Sequence, residues 1–102
     1  MALQPIASVS ELPPGSARCF EIAGRRIAVF HTDAGFLAID DECPHEGASL
    51  SEGAINGECV TCPWHAAEFD LRTGEVLTPP ATENVRSYRV VVTDDQLSVE
   101  VE

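Results

Sequence analysis

The sequence predicts an all-β domain, and three observations carry that expectation. Its apolar runs are short and rich in β-branched residues, Gly, Asp, Asn or Pro divides them every several residues, and no amphipathic helix stands out. A chain of 102 residues supports one hydrophobic core, whereas two cores of half that size would each be marginal, so residues 1–102 are expected to form one domain.

Taken in order, the expected strands are Gln4 to Val9, Ala17 to Ile22, Arg26 to His31, Phe36 to Asp40, Glu58 to Thr61, Glu68 to Asp70, Glu75 to Leu77, Val85 to Thr93 and Gln96 to Val101. The joints between them are turn chemistry. Ala23-Gly24-Arg25, Thr32-Asp33-Ala34-Gly35, Asn56-Gly57, Thr73-Gly74 and Asp94-Asp95 supply residues that tolerate tight turns, which makes much of the chain a meander of hairpins. Two segments break the regularity. Asp41 to Gly53 is polar and contains Gly and Pro, Thr61 to Ala67 interrupts again, and each carries a Cys and a His. Loops held on a β scaffold commonly carry chemistry, so these two are expected to be paired ligand loops.

Charge narrows the partners. Seventeen acids oppose 6 basic residues, all of them Arg, for a formal net charge of -11, and the span from Ile27 to Leu71 holds nine acids and no Lys or Arg. Such a surface argues against nucleic acid and against an anionic membrane, and points to basic partners; solubility alone is the competing use of the acids. The opening MALQPIASVSELPPG lacks a basic n-region, and Gln4, Pro5, Ser8 and Ser10 interrupt its apolar residues, so neither a secretory signal nor a membrane span is expected. The cytoplasm is the default compartment. In a reducing compartment, Cys and His at short regular spacing point to a metal rather than to disulfides.

The spacing is specific. Cys43-Pro44-His45 and Cys62-Pro63-Trp64-His65 stand 16 residues apart, and each supplies one thiolate and one imidazole. Either a tetrahedral zinc or an iron-sulfur cluster with two histidines takes such a set. Zinc fingers of this composition pair Cys with Cys and His with His, usually across a helix, whereas here each loop is mixed and no helix follows. Mixed loops suit a two-iron centre better, with both Cys on one iron and both His on the other.

These residues resemble the Rieske family: C-x-H at Cys43/His45, the 16-residue gap, and C-x2-H at Cys62/His65. The likeness continues through Gly47, Trp64 to Asp70, the Arg72-Thr73-Gly74 turn and Pro79-Pro80, so it covers about Asp41 to Pro80. It implies antiparallel sheets with an inserted cluster-binding subdomain at approximately 41–80, one 2Fe-2S cluster, and a histidine-bound iron nearest the surface. Within the family the chain looks like the ferredoxin components of bacterial aromatic-ring dioxygenases. The respiratory members carry an inter-loop disulfide at positions that correspond to Ala48 and Trp64, and hydroxyls where this chain has Ala67 and Phe69, so the resemblance is to the low-potential branch.

Ligation without an open iron position leaves electron transfer as the function rather than catalysis. A ring-hydroxylating oxygenase needs a second iron, usually on two His and a carboxylate, and only His31 remains after the cluster takes its two. The resemblance implies that electrons arrive from an NAD(P)H-dependent flavoprotein reductase and leave to a terminal oxygenase in aromatic hydrocarbon catabolism. Two alternatives stand beside this carrier: the Rieske small subunit of an assimilatory nitrite reductase, and a zinc-stabilised interaction module. Cys19 and Cys59 fall outside the pattern and are expected to be buried, unreactive thiols, with His31 equally structural. Trp64 suits a cap over the ligands or a partner contact as well as plain loop packing, and Pro44, Pro63, Pro79 and Pro80 preorganise the loops around them.

Overall fold

Ile27, Ala28, Val29 and Phe30 are consecutive and all fully buried, a run that demands cover on both faces of its strand. The computed structural model, which describes residues 2–43, 48–63, 67–78 and 83–101, supplies that cover with three small sheets. Its strands are β1 (Ala2–Ser8), β2 (Ala17–Ile22), β3 (Arg25–Thr32), β4 (Gly35–Asp40), β5 (Ala54–Asn56), β6 (Cys59–Thr61), β7 (Glu68–Asp70), β8 (Ser87–Tyr88), β9 (Val90–Thr93) and β10 (Gln96–Val101). They form sheets in the orders β1-β10-β9, β2-β3-β4-β8 and β5-β6-β7, with antiparallel pairing throughout. Single 3-10 turns occur at Val9–Glu11 and Leu50–Glu52.

Alternation along β3 divides the interior in two. Ile27 and Val29 pack with Leu97, Val99 and Val101 of β10, while Ala28 and Phe30 pack with Leu50, Val60, Phe69 and Leu71. The four-stranded sheet is therefore the middle layer. On one side lies the sheet of the two chain ends; on the other lies the β5-β6-β7 sheet, which is inserted in sequence between β4 and β8.

The strands at Ala17–Ile22, Glu68–Asp70 and Gln96–Val101 match the expected bounds. Three expectations change. β5 is a strand beyond those expected: Ala54, Ile55 and Asn56 form the first arm of the Asn56-Gly57 turn by pairing with Thr61, Val60 and Cys59. Val85 to Thr93 is not one strand: Ser87–Tyr88 pairs with β4, Val90–Thr93 pairs with β10, and the chain changes sheets at Arg89, which one straight strand cannot do. Glu75 to Leu77 is reduced to the Val76 bridge to Phe69, made by Asp70 N–H donating to Glu75 C=O at 2.8 Å and Leu77 N–H to Glu68 C=O at 2.7 Å, and the pairing stops there because the Thr78 hydroxyl accepts from Glu68 N–H at 2.9 Å.

Candidate metal centre

Both expected ligand loops are closed in the same way. At the first, Cys43 N–H donates to Ala48 C=O at 2.8 Å; at the second, Cys62 N–H donates to Ala67 C=O at 2.7 Å. Each Cys thus ends one arm of a hairpin, each partner is an alanine five residues on, and each intervening segment is four residues long. The small side chains suit the crowded positions: Ala48 and Ala67 are both buried, as are Cys43 and Cys62 at 1% and 2% exposure. Both thiols belong to the same apolar cluster, together with Leu50, Val60 and Phe69.

The arms are positioned by different means. For the first loop, Leu50 N–H donates to Asp41 C=O at 2.7 Å and Glu42 bridges Ser49, so residues 41–43 lie antiparallel to 48–50. Asp41 is itself fully buried. Its carboxylate accepts from Arg26 Nη2 at 2.8 Å, the Ser49 hydroxyl at 2.6 Å and Ser51 N–H at 2.9 Å. Burial pushes its pKa upward, but the bonds from Ser49, Ser51 and the Cys19 thiol outweigh that and hold the carboxyl below its ordinary value. The second loop is the tip of the β6-β7 hairpin, whose register runs Cys59 to Asp70, Val60 to Phe69 and Thr61 to Glu68. Gly53 lies directly over the end of β6: a Cβ there would collide with the Thr61 carbonyl.

Two buried soft donors, at the ends of two matching loops in one apolar cluster, fit an iron-sulfur centre, whose thiolate ligands are protected by exclusion of water. A Rieske [2Fe-2S] domain model matches residues 2–89. The chain belongs to the Rieske family. A 3-phenylpropionate/cinnamic acid dioxygenase ferredoxin subunit from Photorhabdus laumondii is 45% identical over 97 residues, covering 94% of this chain and 91% of that protein. Among solved structures, a chain of the complex of reduced oxygenase and oxidized ferredoxin in carbazole 1,9a-dioxygenase superposes with a TM-score of 0.88 at 30% identity, covering 98% of this chain and 97% of that one. A protein described as a nitrite reductase NADPH small subunit superposes with a TM-score of 0.85 at 29% identity, covering 99% of this chain and 100% of that one. The cofactor of this Rieske domain is a 2Fe-2S cluster.

Of the expected ligands, Cys43 and Cys62 are brought to one cluster of buried residues, while His45 and His65 lie outside the described residues, as do Pro44, Gly47, Trp64, Pro79 and Pro80. Ala67 and Phe69, expected where other Rieske proteins carry hydroxyls, are fully buried beside the two thiols in that cluster. Cys19 and Cys59 correct the expectation in part, since both are half-buried rather than buried. Their thiols are nevertheless pushed above the usual thiol range, Cys19 mainly by desolvation and Cys59 by desolvation and the carboxylates of Asp70, Glu68 and Glu58, which disfavours the reactive thiolate. His31 is structural: its Nδ1–H donates to Leu12 C=O at 2.8 Å and its ring stacks on Phe36 at 4.0 Å between centroids. Sequence reasoning missed Asp41, which it counted only as one surface acid among nine. An acid two residues before the first ligand Cys was the available signal, and burial was not visible in it.

Proposed function

We propose that this Rieske domain is a one-electron carrier, not an enzyme, with its 2Fe-2S cluster held by Cys43 and Cys62 on one iron and by His45 and His65 on the other. The observation that carries the ligand assignment is the pair of matched loops, each closed by a Cys-to-Ala hydrogen bond and each delivering its thiol to the same buried cluster. The cluster supplies reversible exchange of a single electron. The chain's own residues do the rest: the thiols are held where Leu50, Val60, Ala67 and Phe69 exclude water, and in this reading the imidazoles of His45 and His65 would be the edge through which electrons enter and leave. Residues 41–80 act as the cluster-binding unit of one domain spanning residues 1–102.

The electron source in this reading is an NAD(P)H-dependent flavoprotein reductase and the acceptor a terminal aromatic-ring oxygenase, both met transiently in the cytoplasm. Support comes from the 45% identity to a dioxygenase ferredoxin subunit over nearly the full length of both chains, and from the likeness to a ferredoxin system solved with its oxygenase. The nitrite reductase small-subunit reading is supported by a fold likeness at 29% identity. No helix among the described residues is long and apolar enough to cross a membrane.

Iron and sulfide analysis with electron paramagnetic resonance after reduction tests the centre, and zinc with no visible absorption would overturn it. Stopped-flow transfer from a flavoprotein reductase to a Rieske oxygenase tests the role. A carrier turns over many oxygenase equivalents and dissociates on gel filtration; a stable complex with a large reductase subunit would establish the nitrite reductase reading instead.

A further inference from the structure

Asp41 is a fully buried carboxylate outside the ligand set, two residues before Cys43. Buried charge is costly to maintain unless donors meet its oxygens, and here they come from two separate pieces of chain, β3 and the segment Ser49–Ser51. Arg26 of β3 and the Ser49 hydroxyl both reach Oδ2, and Ser51 N–H reaches Oδ1. The backbone of Asp41 takes part as well, donating to Arg26 C=O at 3.0 Å and accepting from Leu50 N–H. The residue therefore joins the arm that leads out of β4 into the first loop, the segment that returns from it, and β3. Among the described residues the arms of the second loop are joined instead by their own ladder.

We propose that Asp41 is the positioning residue of the first ligand loop, its carboxylate fixing the Cys43 arm against the returning arm and against β3, and so determining how firmly the cluster is held. This rests on Cys43 being a ligand. Groups that orient metal ligands without touching the metal commonly change metal retention on the order of tenfold or more when altered. A residue with only a structural role would change cluster loss and unfolding together.

The test uses the holoprotein and the variants Asp41→Asn, Asp41→Ala and Arg26→Gln. Bleaching by an iron chelator is followed in the visible spectrum, unfolding by far-ultraviolet circular dichroism in the same samples, and the reduced spectrum by electron paramagnetic resonance. The expected order of bleaching is Asp41→Ala fastest, then Asp41→Asn at on the order of tenfold above the parent, then Arg26→Gln, which leaves the Ser49 and Ser51 donors in place. All should bleach before the β signal is lost, with shifted g-values in the Asn variant. If Asp41→Ala does not fold, Asp41→Asn and Arg26→Gln carry the comparison. Bleaching of Asp41→Asn at the parental rate overturns the inference, and so does acceleration no greater than that of unfolding. A parent without a Rieske spectrum overturns the ligand reading and this inference with it, whereas a parent with that spectrum and unaffected variants overturns this inference alone.

Discussion

The two ligand loops are alike at their mouths and unlike in their supports. Each is closed by a Cys N–H donating to an Ala carbonyl across four intervening residues. The second loop sits on the β6-β7 hairpin, so its position is set by local backbone pairing. Among the described residues the arms of the first meet at a single bridge, Glu42 to Ser49, flanked by the Leu50-to-Asp41 and Cys43-to-Ala48 bonds, and the buried Asp41 carboxylate adds a tie back to Arg26. Similar delivery of a thiol can thus come from a ladder or from a polar anchor. A ladder spreads its strength over many weak bonds, whereas an anchor concentrates it in one side chain.

The comparison breaks most sharply at the ligands themselves. If both loops hold one cluster, loss of a ligand from either should be equally damaging despite their different supports. His45→Ala and His65→Ala are each expected to abolish the Rieske spectrum. Normal iron, sulfide and spectrum in either variant would show that the loops are not equivalent partners.

Supports come next in size. Leu50→Ala removes a fully buried side chain from the returning arm of the first loop and is expected to destabilise by about 2–5 kcal/mol. Gly53→Ala places a methyl against the Thr61 carbonyl, one residue before Cys62, and overpacking of this kind typically costs about 1–3 kcal/mol. Urea denaturation gives both values. A neutral Gly53→Ala would mean that the end of β6 yields without disturbing the second loop.

The potential sharpens the comparison further, because Ala67 closes the second loop and Phe69 lies two residues beyond it. An apolar shell disfavours the extra negative charge of the reduced cluster, and no hydroxyl is available from these two positions. A potential near the bottom of the Rieske range, about -150 mV, is expected. Ala67→Ser with Phe69→Tyr is expected to raise it by on the order of 50–150 mV, as two added hydrogen bonds would. Protein-film voltammetry decides: a parent near the top of the range, about +300 mV, overturns the low-potential reading. A folded double variant with no upward shift overturns its explanation.

The smallest expected effect is on encounter. Nine acids and no Lys or Arg lie between Ile27 and Leu71, a span that contains both loops. Transfer to an oxygenase should slow as salt rises, because the screening length falls from about 10 Å at 0.1 M to about 3 Å at 1 M. A second-order rate indifferent to salt would assign these acids to solubility.

The amino-acid sequence alone determined the all-β class, the bounds of β2, β7 and β10, and the Cys and His spacing, because turn residues, β-branched runs and short ligand motifs act over a few neighbouring positions. Local pattern did not reveal β5, whose three residues become a strand only by pairing with β6. Nor did it reveal the change of sheets at Arg89, which depends on β4 and β10 lying in different layers. Asp41 is the clearest case. In the sequence it is one of nine neighbouring acids, and solvent is the default place for a carboxylate. Only the meeting of β3 with the returning arm of the first loop provides enough donors to keep it charged and buried, since Arg26 lies 15 residues before it and Ser51 ten after. Burial of a charge is decided by partners that are distant along the chain, and those are assembled only by the tertiary structure.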